Sequence, residues 1–480
     1  MKTTRRKFFL AAAGGGLGAL AGAKGAEKTD APAAGEIIVP QRKLPVLAEA
    51  DVVVCGGGTA GIAAACCAAR HGAKVILLER WPSLGGMATN ALVNIWHTSD
   101  RQKQVIFGFV QEAIGRAGDF IQRYADFPKR YETHFFDPEG MRVVFWNLLR
   151  ERGVRVLCNV TAVESLVEEG RLRAVLVDTK TGRKAVCGKI FIDATGDGDV
   201  AANAGLPFAY GREGDGRVQG MTMMFELRGA DSAAARAAPR EQAARVLQRM
   251  QELRDAGKFP LFNESHAAHY LRSGANGLYN LCPAAGNPLD EEELTRLSEE
   301  ARGHVYQYRD LWRRELPAFA KAEIVQMGHG LGIRESRRIR GLKTLDGEMV
   351  IQARKQPDAL GHGFWMIDIH DPQGTGHTTH SEHKAGQWLG PGESYHIPLG
   401  ICLNAQLPNL AVVGRCASTT HEGLASARLQ SHGMVMGQGV GTCAALALQA
   451  GVQMSLVDIK KLQATLRGDG VYLENVPESS

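Results

Sequence analysis

No two of the nine cysteines (55, 66, 67, 158, 187, 282, 402, 416 and 443) stand as C-x-x-C. None has the spacing of a zinc, iron–sulfur or haem-attachment site. That argues against a redox-active disulfide and against a built-in electron relay. Most of these cysteines lie in apolar runs, where a free thiol behaves as a small buried hydrophobe. Also missing is any run of about 20 strongly apolar residues, so no membrane span is expected in the mature chain. Charge of one sign is scarce too. The formal net charge is +5 over 480 residues, dispersed except for "RESRRIR" at 334–340, which leaves nucleic acid an unexpected partner. What is present, 44% hydrophobic and 22% charged residues, is ordinary globular composition, with material for two or three domains.

The start of the chain reads differently from the rest. "TTRRKFFLAAAGGGLGALAGA" has a basic opening, a weakly apolar run and then small residues. Arg5-Arg6 followed by Lys7-Phe8-Phe9-Leu10 reads as a twin-arginine export signal over 1–23. Ala19-Leu20-Ala21 and Ala21-Gly22-Ala23 are alternative cleavage sites. This reading makes the translocation machinery a partner and places the mature chain in the periplasm or outside the cell. Residues 24–45, rich in Ala, Pro, Lys and Glu, read as a linker.

The strongest signal is "DVVVCGGGTAGIAAACCAARHGAKVILLER". Val52–Cys55 is a short apolar strand, and Gly56, Gly58 and Gly61 follow at G-x-G-x-x-G spacing. Ile62–Arg70 is a helix-forming run, and Lys74–Leu78 is a second strand closed by Glu79. Each part has a task at a dinucleotide. Gly56 permits the tight turn, Gly58 lets backbone approach the pyrophosphate, and Gly61 lets helix pack on sheet. The helix N-terminus, with Thr59 and Ala60 in its first turn, offers N–H groups to phosphate. Glu79, with Arg80 beside it, would accept from the ribose hydroxyls, and its charge disfavours a 2′-phosphate. Gly85-Gly86 form a second close-approach loop. Downstream, a strand at Lys189–Ala194 runs into Thr195-Gly196-Asp197. A strand at Leu410–Val413 runs into Gly414-Arg415 and then a long helix. This late return to the sheet implies a discontinuous dinucleotide domain: an α/β, Rossmann-like parallel sheet over 46–209 and 396–455. An α+β substrate or cap domain over 210–395 is inserted in it, and a helix–strand tail closes the chain at 456–480.

At "LGGMAT", "IDATGDGDVA", "GIRESRRIRG", "FWMIDIHDPQG" and "NLAVVGRCAS…HEGLASARLQ…GQGVG" the chain resembles an FAD-dependent oxidoreductase family with the glutathione-reductase type of FAD fold. The matches run in order from Asp51 to Leu473. The resemblance implies FAD as cofactor, and it implies adenine and pyrophosphate–ribityl contacts at Ala162, Thr195–Asp197 and Gly414-Arg415. It also implies a closing helix and strand at 458–473. No second G-x-G-x-x-G follows a strand, so a separate NAD domain is not expected. Export of an already folded chain would suit a protein that loads its cofactor in the cytoplasm.

Ser431 is expected to cap a helix starting near His432, placing N–H groups at flavin N1/O2, with Arg428 and Gln430 just ahead of it. Gly437 and Gly441 are expected to serve close helix–sheet packing. A flavin dehydrogenase or oxidase must hold a C–H bearing substrate, hydroxylated or carboxylated, and needs a base near the ring. Arg334 suits a carboxylate, with an ion-paired strand surface as the alternative. His370, beside Asp368, is a candidate base or else a structural histidine. His421 lies in a loop that resembles the fumarate-reductase pattern, with a wider gap to its following arginine, Arg428. His377, His380 and His383 in "HTTHSEH" are read as loop residues rather than a metal site. Covalent flavin attachment through His97 or a cysteine has no supporting motif. The electron acceptor, whether oxygen, a quinone or a partner cytochrome, stays open. So does the rival class, a non-catalytic FAD-binding electron carrier or partner subunit.

Overall fold

In a computed structural model the chain is described at residues 37, 39, 41–124, 132–374 and 386–478. The export signal, most of the linker and the "HTTHSEH" histidines lie outside these residues. One compact unit spans Leu44–Ser480; in the other, Met1–Lys43, the described residues form no helix or strand.

The main sheet begins with Val46–Cys55, whose last four residues are buried on both faces, as a run of valines in a covered parallel strand should be. Its neighbours are Val75–Glu79 on one side and Gly182–Asp193 on the other, both parallel to it. Arg155–Cys158 extends the first side, again in parallel. Gly182–Asp193 is long enough to do two jobs. Its first half pairs antiparallel with Arg171–Thr179, which pairs in turn with Thr161–Glu168. Its last three residues pair in parallel with Leu410–Val412. The late return to the sheet expected from the sequence is therefore present.

One helix lies on this sheet and a second packs against that helix, and glycine sets their separation. Thr59–Arg70 follows the fingerprint directly. Gln430–Ala450, buried from Ser431 to Ala447, lies against it. A Cβ on Gly437 would come within 2.1 Å of the Ala60 carbonyl oxygen, and one on Gly441 within 2.2 Å of the Ala64 carbonyl oxygen. The expected helix–sheet role for these glycines becomes helix–helix packing, because the alanine-rich face of Thr59–Arg70 lies between them and the strands.

A second core forms where Met221–Arg228, flanked by Gly277–Ala284 and Glu323–Met327, makes a three-stranded antiparallel sheet. Helices Arg240–Asp255, Glu264–Ser273 and Glu291–Glu315 cover it. Asp290 caps the last of these, accepting from the Glu293 N–H at 2.8 Å, and three acids fill its first turn, as the macrodipole favours. The apolar side chains of this core run from Met221 to Ile333, while those from Leu345 to Leu403 join the core of the main sheet. The tail holds the helix Ile459–Gly468, but Val471–Leu473 form no strand; Val471 N–H instead closes back on the Leu466 carbonyl.

Candidate functional site

The fingerprint loop is shaped by contacts that only glycine tolerates. Gly56 has φ +110°, and a Cβ there would sit 2.2 Å from the Ala194 carbonyl oxygen. At Gly61 a Cβ would meet the Gly56 carbonyl oxygen at 2.0 Å. Gly58 differs: an added Cβ would meet only the Gly86 Cα, at 4.0 Å, so this position borders open space. Gly58 precedes Thr59 as the helix N-cap without a side-chain cap, which leaves the first N–H groups of Thr59, Ala60 and Gly61 for an incoming anion. Gly85 N–H donates to the Gly57 carbonyl at 2.8 Å and bridges to Gly58, so Gly85-Gly86 lie directly against the fingerprint.

Glu79 ends the second strand, nearly fully buried. Its carboxylate accepts from Gly57 N–H at 2.6 Å and from Trp81 N–H at 2.7 Å. Burial pushes its pKa up against the pull of these two donors. Each oxygen keeps an unused lone pair for a hydroxyl donor. Exposed Arg80 packs its guanidinium over Trp81. Ala162 lies at the start of its strand, two residues beyond Val160, whose N–H donates to the Glu79 carbonyl at 3.0 Å.

The other wall comes from Thr195–Asp197 and Gly414-Arg415. Asp193, fully buried with its pKa raised by burial to about 6, accepts from the Thr195 N–H and hydroxyl and from Ala201 N–H, fixing the turn. Arg415 reaches Asp197 at 2.9 Å and the Ser336 hydroxyl at 2.8 Å. Burial works to raise Asp197, but Arg415 prevails and its pKa is lowered. Gly414, at φ +82°, packs beside Ala60.

The segment Arg334–Arg338 leads into the short strand Arg337–Ile339, and its successive side chains take different partners. Arg334 Nη1 donates to the Gly220 carbonyl at 2.7 Å and to Thr222 Oγ1 at 2.6 Å. Glu335 accepts from Gln219 N–H at 3.0 Å, pairs with Arg338 and meets His421 Nδ1 at 2.7 Å. Ser336 donates to Asp197 at 2.7 Å, and Arg337 pairs with Asp199 at 2.9 Å. Arg334 therefore faces the second core, while Arg337 and Arg338 are ion-paired.

Arg334 and His370 line one cleft, with Thr222, Asn280 and Asp371. His370 Nε2 stands 3.3 Å from Asp368 Oδ2, and Arg428 Nη2 donates to the same oxygen at 2.9 Å. Burial and then the charge of Arg428 bring Arg334 down to about 9. Burial and then Arg334 bring His370 down to about 3. At pH 7 the cluster thus holds two guanidiniums and a neutral imidazole. His421 does not line this cleft; it is held instead by Glu335. Asp368, expected only to orient His370, also holds Arg428.

Two expectations for the long helix change. It begins at Gln430 behind Leu429, so Ser431 lies in the first turn and caps nothing. The Gln430 side chain is occupied structurally: it accepts from Trp96 Nε1 at 2.9 Å and donates to the Val93 carbonyl at 2.7 Å. That lock starts the helix early. Ser431 Oγ, Arg428 Nε and His432 Nε2 are buried without a hydrogen-bond partner among the described residues. His432, not singled out from the sequence, donates through Nδ1 to the Ser426 carbonyl at 3.1 Å. Its only sequence signal is a polar ring in a helix otherwise rich in glycine, methionine and alanine.

A profile of the FAD dependent oxidoreductase family matches residues 51–466. The chain belongs to that family. It is an enzyme with FAD as its cofactor. No match was found among the curated proteins. Among solved structures it is similar to p-nitrophenol 4-monooxygenase from Pseudomonas putida, at 11% identity over 90% of each chain and TM-score 0.45. A geranylgeranyl bacteriochlorophyll reductase-like protein from Thermoplasma acidophilum shares 13% identity over 88% of this chain and 83% of that one, TM-score 0.42. THI4 from Thermovibrio ammonificans shares 21% over 34% of this chain and 66% of that one, TM-score 0.28.

The residues present fit an FAD. The uncapped helix start and the open side of Gly58 suit a pyrophosphate, Glu79 suits a ribose, and the orphaned Ser431 hydroxyl lies at the start of the second glycine-packed helix. Among the described residues no group of three or more His, Cys, Asp or Glu could hold a metal ion.

Proposed function

We propose that the enzyme is a dehydrogenase or oxidase that transfers hydride from a small hydroxylated or carboxylated substrate to flavin. The observation that carries this reading is the convergence of Arg334 and His370 on one cleft, tied through Asp368 to Arg428, two residues ahead of the long helix. Bound FAD supplies the two-electron acceptor. The chain's own residues hold and orient the substrate. Arg334 stays cationic at neutral pH, and its remaining donors suit a carboxylate or hydroxyl oxygen. His370 stays neutral at this pH, and Asp368 fixes the ring beside the arginine. The Asn280 amide and Thr222 hydroxyl supply further polar edges.

Anaerobic addition of hydroxylated and carboxylated compounds to the purified holoenzyme tests this. Bleaching of the flavin bands by members of either class supports it; a flavin that none of them reduces, yet dithionite does, counts against it. Export through the twin-arginine machinery is part of the same proposal and rests on Arg5-Arg6 and the run that follows. Replacing both arginines with lysine should hold the precursor in the cytoplasm.

A further inference from the structure

We propose that the second core carries a separate binding site for an amphipathic carboxylate, a small molecule with an acid head and an apolar body. Four elements converge to form it: the short helix Ser232–Ala237, the start of Arg240–Asp255, the last turn of Glu264–Ser273 and the turn Pro317–Phe319. They enclose a cleft of about 200 Å3 with an open mouth. Its apolar lining includes Ala243, Leu271, Leu316 and Phe319, and its charged lining is Arg236, Arg240 and Arg272. No carboxylate lines it.

The arginines are unusual for their surroundings. Most others in this part of the chain, from Arg212 to Arg314, carry a carboxylate partner. Among the described residues Arg236 and Arg240 carry no side-chain partner, and Arg272 donates only to the Ala268 carbonyl, in its own helix. Three exposed cations with no carboxylate beside them rim one concavity, and that charge favours an anion there. The apolar floor selects an anion with a hydrocarbon or aromatic body over a bare ion. The cleft shares no lining residue with the one holding Arg334 and His370, so this site does not depend on the reading of that one.

The test is titration calorimetry of the full-chain holoenzyme with decanoate, decanol and butyrate. Saturable decanoate binding is expected, with decanol and butyrate each weaker by about tenfold or more. The exposed triple variant Arg236→Gln/Arg240→Gln/Arg272→Gln should bind decanoate about tenfold more weakly. Its melting temperature and flavin content should not change. Gln242→Trp, which fills the cleft without altering charge, should weaken binding as well. Absence of saturable decanoate binding, or decanoate binding equally tight in the triple variant, overturns the proposal.

Discussion

At the scale of single residues, the cluster around Asp368 makes the sharpest claims. The His370 pKa is held near 3 by burial and then by the Arg334 guanidinium. Arg334→Gln removes the second of these causes, so the His370 pKa should rise. Histidine NMR titrations of Arg334→Gln, with His370→Asn to assign the resonance, check this; an unmoved pKa would separate the two groups. Ser431 makes a different claim. Its buried hydroxyl has no hydrogen-bond partner among the described residues, and alanine suits a helical first turn. Ser431→Ala should therefore stabilise the apoprotein by about 1 kcal/mol. If the hydroxyl serves the cofactor, the same change should weaken FAD binding severalfold. Apoprotein melting and FAD titration read the two effects separately. Residues such as Gly56, Gly58, Gly61 and Glu79 were legible in the sequence because their task is local: a turn, a helix start and a strand end in one continuous unit. The pairing of His421 with Glu335 was not, because the two lie 86 residues apart and only the fold brings them together.

At the scale of elements, the contact between Thr59–Arg70 and Gln430–Ala450 joins the two halves of the cofactor domain. Gly437→Ala puts a methyl where the Ala60 carbonyl stands and should force the helices apart, costing about 1–3 kcal/mol. The displaced helix start should also release FAD. Thermal melting and flavin stoichiometry measure both, and an unchanged melting temperature would show that the two helices can shift freely. The pairing of these helices was half legible. The i, i+4 glycines announced a close approach, but not whether strand or helix lay opposite. The start of the long helix was missed by two residues, because Gln430 is held by Trp96 and Val93, contacts more than 300 residues distant in sequence.

For the whole molecule, buried neutral histidines set the response to acid. Burial brings His97, His362 and His370 to about 3, and His396 and His432 to about 4. Their folded pKa values lie below the unfolded value of about 6.5, so between these limits the unfolded chain binds more protons. Stability therefore falls as pH drops below about 6.5. Asp193, raised to about 6, works in the opposite direction below that pH, as do Glu79 and Asp199, which burial also raises, but the five histidines outnumber these three. The melting temperature should drop steadily from pH 6.5 to pH 4.5, and a flat profile would mean that these rings are hydrated. The late return to the sheet was legible at this scale, since strand, turn and glycine signals recur in order along the chain.

The most direct test of the account is the rate of anaerobic flavin reduction by a substrate, compared between the wild type and Arg334→Gln, with flavin content measured in both. The account predicts equal FAD content and a reduction rate lowered by about a hundredfold or more, a loss of roughly 3 kcal/mol of transition-state stabilisation. A variant that holds FAD and is reduced as fast as the wild type would contradict it and place the substrate elsewhere.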